Sequence, residues 1–465
     1  MNSLSTPYSS NLTNLEFILK RNSTLIVIVG GQYGDEGKGK ILAWVSKLIL
    51  ANKLELVGIR SSGSCNAGHQ IWEGDQRYCL SGTPSTIIFP KSHSIIAPGC
   101  LVSVQRVAEE IEKIEKQTGI DFAQEDDHLV IHKDCHLTFP FHQYLEKKLE
   151  EDKDPSKKVG TTGSGVCTTM AAMVLRCGIQ VHHMKDEETL RKKYDESIRV
   201  FIKDEEVIAQ YPLTKELIEQ CQKIYRFCKT SKHLEALSTT GKGVYIVEGS
   251  QSVQLSLLSG APPHTTSTLT NYGGLIAGLV GYPKTRYNIC FLVIKMFQTK
   301  VGGGTLLTKC DEPVEAVFQE LGHEFGSVTG RRRSVGFFDI PQLLKVLKEC
   351  PENTVLILNK IDIIPDAYKQ VGLSTLKICI GMMDSESKQM FTEYPTTYEE
   401  ISRAVPIYQE FPVPTDDFTK IKTYDDFSPK FKTIFEFIEN KTGKHIGLFG
   451  VGKETDAIIY NNSAF

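Results

Sequence analysis

An uninterrupted apolar run, Leu25-Ile-Val-Ile-Val29, ends directly in glycine. It is followed by Gly31-Gln-Tyr-Gly-Asp-Glu-Gly-Lys-Gly-Lys40. Beyond that loop Ile41, Trp44, Val45, Leu48 and Ile49 recur at helical spacing. A short strand with no polar alternation is apolar on both faces, which an antiparallel surface sheet does not require and a parallel sheet covered by helices does. This strand, glycine loop and helix therefore commit the chain to a layered α/β architecture.

The same alternation continues downstream. Val104, Val107, Ile111 and Ile114 define one face of a helix, and Leu217, Ile218, Cys221, Ile224 and Tyr225 define another. Val244–Val247, Cys290–Ile294 and Thr354–Leu358 read as further buried strands. Charged stretches at Leu145–Lys158 and Lys185–Lys193 read as solvated helix faces without chemistry. No internal repeat or long linker divides the 465 residues. The expectation is one large α/β domain over 23–465, with a mainly parallel central sheet flanked by helices and a P-loop-like phosphate-binding loop. Residues 1–22 read as a loosely ordered extension, lacking the apolar core and small-residue cleavage site of a secretory signal.

Composition excludes several classes. With 53 Lys+Arg against 56 Asp+Glu, the net charge of −3 gives no bulk attraction for nucleic acid or anionic membrane. No apolar run reaches the roughly 18 residues of a membrane span. Twelve cysteines are scattered without a C-x-x-C pair, which fits a reducing, cytoplasmic setting.

The glycine loop carries the strongest chemical signal. Glycines let backbone N–H groups approach phosphate, and the following helix adds its positive end. Gly34–Lys40 fits the first seven places of G-x-x-x-x-G-K, but Ile41 stands where a magnesium-binding hydroxyl is required. Asp35 and Glu36 would repel phosphate unless they hold Mg²⁺ or remove a proton. Asn359-Lys-Ile-Asp362 follows an apolar strand. In an N-K-x-D motif the Asp carboxylate accepts from guanine N1–H and its exocyclic amine, donors that adenine lacks in that arrangement. The two motifs lie about 320 residues apart, unlike an ordinary GTPase switch. Asn66-Ala-Gly-His69 puts an imidazole beside flexible backbone, suited to a developing oxyanion. Gly160-Thr-Thr-Gly-Ser-Gly165 is a second phosphate-compatible turn, and Arg331-Arg-Arg333 gathers three guanidiniums suited to carboxylate or phosphate.

Together these segments resemble the adenylosuccinate synthetase family, in order from about residue 24 to the C-terminal region. Glu248-Gly-Ser-Gln251, Lys300-Val-Gly302 and Glu324–Arg333 belong to the same ordered set. The resemblance implies a cytoplasmic homodimer, in which GTP phosphorylates O6 of IMP and the amino group of aspartate then displaces the phosphate. It implies catalytic roles for Asp35, Lys38, His69 and Gln251, with Asp35 as the base on N1 and a Mg²⁺ ligand alongside Gly68. Gly34, Glu36, Gly37, Lys38, Gly39, Lys40, Gly68, His69, Arg333, Asn359, Lys360, Asp362, Gly450 and Gly452 fall where the family binds GTP. Asp35, Asn66, Thr161, Thr162, Gln251, Thr266, Val301 and Arg331 fall where it binds the monophosphate, with Arg176 lent by the neighbouring subunit. Val328, Thr329, Gly330, Arg331 and Arg333 form the amino-acid loop.

The departures cluster. After Gln251 the family usually continues with L-D-x-D, then a G-T-Y-P-Y-V-T turn and an S-S-N stretch. This chain reads Gln254-Leu-Ser-Leu-Leu-Ser-Gly-Ala-Pro-Pro-His-Thr-Thr266, without either acid. Gly-Gly-His becomes Gly63-Ser-Cys65, Gly-Pro becomes Cys167-Thr168, and Val328 replaces a threonine. The phosphoryl-transfer and guanine elements are intact, so the chemistry is expected to be kept and the substrate preference left open. A ligase using dGMP to make a 2-amino precursor is the second reading, although retained Asp35 favours hypoxanthine. A GTP-binding regulatory homologue without turnover is the third.

Overall fold

The computed structural model describes residues 13–21, 23–122, 124–125, 127–154, 158–230, 243–279, 287–326, 330 and 332–465. Ten strands make the central sheet: β1 (Thr24–Gly30), β2 (Glu55–Arg60), β3 (Ser92–Ile96), β4 (Leu129–His132), β5 (Cys228–Lys229), β6 (Gly243–Ser252), β7 (Tyr287–Lys295), β8 (Thr354–Asn359), β9 (Ile446–Gly450) and β10 (Ile458–Tyr460). Their spatial order is β10-β9-β8-β7-β1-β6-β2-β3-β4-β5. Every pairing is parallel except the terminal one between β9 and β10.

Both faces are buried, as the apolar runs require. Ile26 and Ile28 of β1 join one core cluster, while Leu25, Val27 and Val29 join the other. The same split divides Ile289, Phe291 and Val293 of β7 from Cys290, Leu292 and Ile294. The flanking helices include α1 (Thr13–Leu19), α2 (Lys38–Ala51), α3 (Val104–Thr118), α4 (Pro140–Glu151) and α5 (Val166–Val174). The expected apolar faces hold: Val104, Val107, Ile111 and Ile114 are buried on α3. Leu217, Ile218, Cys221 and Ile224 are buried on the helix Lys215–Tyr225.

Within the expected N-terminal extension, α1 is helical, and Leu15 and Leu19 sit in the core. Their i, i+4 spacing, with Ile18 between, is the physical reason this part packs. A second, three-stranded sheet (Phe338–Asp339, Thr375–Asp384, Ala404–Pro412) lies outside the main one. All twelve cysteines are free, in keeping with the sequence reading. No helix among the described residues is long and apolar enough to cross a membrane.

One irregularity shapes the site. Ile28 pairs with Glu248, yet Gly30 pairs with Ser252, so Val29 alone spans Gly249–Gln251 on β6. That bulge pushes three residues out at the carboxyl end of the strand, where parallel sheets place their ligands.

Candidate active site

The carboxyl ends of β1, β6 and β8 open into a cavity of about 810 Å³. Asp35, Lys38, His69, Gln251, Thr162 and Arg333 all line it, although they come from widely separated parts of the chain.

The glycine loop is built by three left-handed residues, Gly34 (φ 97°), Asp35 (φ 59°) and Gly37 (φ 91°). Asp tolerates this region better than most side chains, but holding it there costs of the order of 1 kcal/mol. Gly37 caps α2. A Cβ there would stand 2.7 Å from Asn359 Nδ2, so only glycine lets the phosphate loop meet the N-K-x-D motif. Asn359 Nδ2 in turn donates to the Glu36 carbonyl at 2.6 Å.

The two acids of the loop face opposite ways. Asp35 lines the cavity, and its Oδ2 forms an ion pair with Arg333 Nε at 2.9 Å. Glu36 turns inward. Its carboxylate accepts from the N–H groups of Gln32 (3.2 Å) and Gly34 (2.8 Å), from Lys38 Nζ (2.9 Å) and from the Ser252 hydroxyl. Burial alone would raise its pKa, but the Lys38 ammonium and Ser252 hold it down to about 2. Glu36 thus braces the loop from behind. Lys40, expected among the GTP-binding residues, turns its ammonium to the C-terminal loop: Nζ donates to the carbonyls of Val451 (2.9 Å), Gly452 (3.0 Å) and Ala457 (2.8 Å). On α2 it sits two positions past Lys38, and residues two apart do not share a helix face. Burial brings its pKa down to about 7.

His69 is held by Glu248. Its Nδ1 pairs with Glu248 Oε1, and Nε2 stands 3.2 Å from the Ser250 carbonyl. Glu248 is fully buried and accepts from the Ser85 N–H at 2.8 Å and the Ser85 hydroxyl at 2.5 Å. Burial would raise its pKa; the neighbouring His69 and Arg60 hold it at about 2, so the carboxylate is charged. A charged acceptor fixes the ring's orientation and keeps a proton on Nδ1.

Behind Arg333 runs a second buried charge chain. Arg333 also pairs with Glu324, which Lys295 Nζ meets at 3.2 Å with both side chains fully buried. Burial lowers the Lys295 pKa, and Glu324 opposes that, leaving it at about 8. At the guanine end, Asp362 Oδ2 accepts from the Gly452 N–H at 2.9 Å. Its Oδ1 is buried and has no partner. Lys360 lines the cavity, and its Nζ donates to the Gly322 carbonyl at 2.8 Å.

The family model of adenylosuccinate synthetase matches residues 27–459. The chain belongs to the adenylosuccinate synthetase family. Among its relatives, the adenylosuccinate synthetase of Pediococcus pentosaceus is 30% identical over 94% of this chain and 99% of its own. That of Exiguobacterium sibiricum is 32% identical over 92% and 96%. The solved structure of fully ligated adenylosuccinate synthetase from Plasmodium falciparum is similar at TM-score 0.83 and 26% identity, over 95% of this chain and all of that one. A cyanophage S-2L succinoaminodeoxyadenylate synthetase, solved with dGMP and dATP, shares the fold at TM-score 0.57 and 16% identity over 96% and 97%.

Of the remaining family positions, Asn66, Gly68, Thr161, Thr162, Thr266 and Val301 line the same cavity. Gln251 Nε2 donates to the Asn66 carbonyl at 3.3 Å, so the β6 bulge and the Asn66 turn are tied together. Gly450 lies at the end of β9, where its carbonyl accepts from the Lys360 N–H at 3.0 Å. Arg176 is exposed, in the left-handed region (φ 63°), and is absent from the cavity lining. Gly330 is exposed, whereas Val328, Thr329 and Arg331 lie outside the described residues.

Sequence reasoning missed Glu146, Lys295, the charge chain through Glu324, and the pairing of Glu248 with His69. Glu146 falls in a stretch read as solvated. It lines the cavity, is buried, and has one unpartnered carboxylate oxygen. Its place on the inward face of α4, in step with the buried Phe141 and His142, was the available signal.

Proposed function

We propose that this chain is a GTP-dependent ligase that joins aspartate to C6 of IMP through a 6-phosphoryl intermediate. In the first step Asp35 takes the N1 proton, O6 attacks the γ-phosphorus of GTP, and GDP leaves. In the second, the amino nitrogen of aspartate attacks C6, the C6–O6 bond breaks, and O6 departs with inorganic phosphate. The observation that carries this reading is Asp35: a carboxylate held on left-handed backbone inside an amide-rich loop, facing the cavity. A phosphate cradle alone has no use for it, because an acid there repels phosphate.

The other roles follow from placement. Lys38 and the loop amides hold the transferring phosphate, and His69, oriented by Glu248, donates to its developing charge through Nε2–H, as an imidazolium whose charge the Glu248 carboxylate balances. The Arg333–Asp35 ion pair must open for Asp35 to reach N1, which couples entry of the amino-acid substrate at Arg333 to release of the base. Asp35 and the Gly68 carbonyl are hard oxygen donors beside the same loop. That donor set suits Mg²⁺, which takes one or two protein oxygens and completes its shell with phosphate and water. Among the described residues, no group of three or more His, Cys, Asp and Glu could hold an ion alone. Bound there, Mg²⁺ would neutralise charge on the phosphates.

A homodimer fits the surface around Arg176. Met173, Val174 and Leu175, which precede it, are exposed apolar side chains in a row, Val174 to 73%. Twelve free cysteines support a reducing compartment such as the cytoplasm.

The test is turnover of purified protein with IMP, GTP and aspartate, followed by the absorbance rise of an N6-substituted purine. Asp35→Ala is expected to abolish it. Better turnover with dGMP would give the second substrate reading precedence. Tight GTP binding without turnover on either would favour the regulatory one.

A further inference from the structure

Tyr33 stands two residues before Asp35 in the glycine loop and lines the cavity, yet the mechanism above gives it no part. Lys300 Nζ lies over its ring at 5.2 Å, and its hydroxyl lies 3.4 Å from that of Tyr394, 361 positions later in the chain. Tyr394 in turn donates to Asp339 Oδ2 at 3.2 Å. A phenol carries one proton. With that of Tyr394 committed to the carboxylate, its oxygen is left to accept from Tyr33. The chain Tyr33–Tyr394–Asp339 therefore has a direction, and it ends on an acid.

Asp339 is buried at the end of the short strand Phe338–Asp339 and caps the helix Ile340–Leu347, its Oδ1 accepting from the Gln342 N–H at 3.0 Å. Burial raises its pKa to about 7, against which the Gln342 N–H and the Tyr394 hydroxyl both act. Burial also pushes both phenols above their ordinary value, so each keeps the proton it donates. A helix cap needs only one carboxylate oxygen. The other holds a side chain that reaches the phosphate loop.

The same stretch of chain touches that loop at two further points. Arg333 Nε pairs with Asp35 Oδ2 at 2.9 Å, and Gln342 Nε2 donates to the Gly31 carbonyl at 2.8 Å. Gly31, Tyr33 and Asp35 are alternate residues, and residues 333–342 engage all three, Tyr33 by way of Tyr394. The contacts differ in what catalysis asks of them. Arg333 must release Asp35, whereas Gly31 lies before the first left-handed residue of the loop, Gly34. Once the ion pair opens, Tyr33 carries the last anchored side chain before Asp35. The later part of the loop is braced separately, by Glu36 on Lys38 and by Asn359 on the Glu36 carbonyl.

We propose that Tyr394, anchored on Asp339, is a positioning residue for the base: by holding the Tyr33 hydroxyl it fixes the arm of the phosphate loop from which Asp35 reaches N1 after Arg333 has let go. Neither Tyr394 nor Asp339 lines the cavity, so both act through Tyr33. The inference deepens the ligase reading and rests on it for the role of Asp35, but one arm of its test needs no turnover.

The experiment compares the full chain as wild type, Tyr33→Phe, Tyr394→Phe and the double variant. With IMP, GTP and aspartate, kcat is expected to fall about 3- to 10-fold in each single variant, the worth of one neutral hydrogen bond. KM for GTP should change by less than about twofold, because the separately braced part of the loop holds the phosphates. The double variant should be no slower than either single one, since both remove the same bond. A Tyr394 that only stabilises the small sheet would instead lower the melting temperature and leave kcat alone. Hydrogen exchange of the ligand-free protein, read by mass spectrometry, supplies the arm without turnover. Peptides over residues 30–37 should exchange about 3- to 10-fold faster in each variant, and no faster in the double one. Wild-type kcat in Tyr394→Phe, a loss carried by KM alone, additive losses in the double variant, or loop exchange at the wild-type rate would each refute the proposal. If the wild type never turns over while the variants still loosen the loop, the ligase reading falls and the tether stands.

Discussion

Replacing Asp362 with asparagine tests the nucleotide specificity atom by atom. One carboxylate oxygen is already used, accepting from the Gly452 N–H at 2.9 Å, and the other is buried without a partner. Guanine supplies the two missing donors, N1–H and the 2-amino group. In Asp362→Asn the amide oxygen can keep Gly452, which leaves an NH₂ facing the guanine donors. The loss is at least one charge-assisted hydrogen bond, so about 1.5–3 kcal/mol as a lower bound. At about 1.4 kcal/mol per tenfold, KM for GTP rises at least roughly 10- to 100-fold. The contact is made equally in ground and transition states, so kcat at saturating nucleotide should change by less than about threefold. Xanthosine triphosphate carries a 2-oxo acceptor in place of the amine, and the variant should prefer it to GTP. Steady-state kinetics with GTP, XTP and ATP, at saturating IMP and aspartate, reads all three quantities. An unchanged GTP/XTP ratio would refute the proposed base contact, as would a loss confined to kcat.

Three further outcomes follow from the charge network. Glu248→Gln keeps a hydrogen-bonding oxygen near His69 but removes its charge; kcat should drop about 10²-fold with KM for GTP nearly constant, whereas wild-type kcat would show that the pairing is only structural. Lys40→Met releases three carbonyls of the 451–457 loop, so KM for GTP should rise while IMP affinity measured by calorimetry stays put; equal losses in both would place Lys40 in the shared phosphate site after all. Glu36 and Glu248 are held at about 2 against an ordinary value of 4.5. Because these folded-state values are depressed, the stability they add is full above about pH 4.5 and is lost as pH falls towards 2, about 3 kcal/mol each. Urea midpoints should therefore fall more steeply across that window in wild type than in Glu36→Gln; parallel curves would contradict the assignment.

Much of the scaffold was legible because its causes are local. The apolar runs at Leu25–Val29 and Thr354–Leu358 became central strands, since a run without polar alternation fits only a sheet covered on both faces. The glycine loop could be read for the same reason: positive φ at Gly34 and Gly37 is a property of those residues. The electrostatic wiring was not legible. His69 and Glu248 are 179 positions apart, one opening the hairpin strand His69–Glu73 and the other on β6, and only the tertiary packing of these elements brings them together. Asp35 and Glu36 look alike in sequence, but consecutive residues on a sharply turned loop point in opposite directions, one to the cavity and one to Lys38. Lys40 completes a phosphate-loop pattern on paper, yet helix geometry turns it to the C-terminal loop. Glu146 was hidden in a charged stretch, because composition cannot say which residue of a polar helix faces inward.

Activation of the purine oxygen by Asp35 is tested most directly by following that atom. IMP labelled with ¹⁸O at position 6 is incubated with the enzyme, GTP and aspartate, and the inorganic phosphate is analysed by mass spectrometry. The account predicts one labelled oxygen in phosphate for each product formed, and neither product nor labelled phosphate with Asp35→Asn. Product formation with unlabelled phosphate and the ¹⁸O released into water would contradict it.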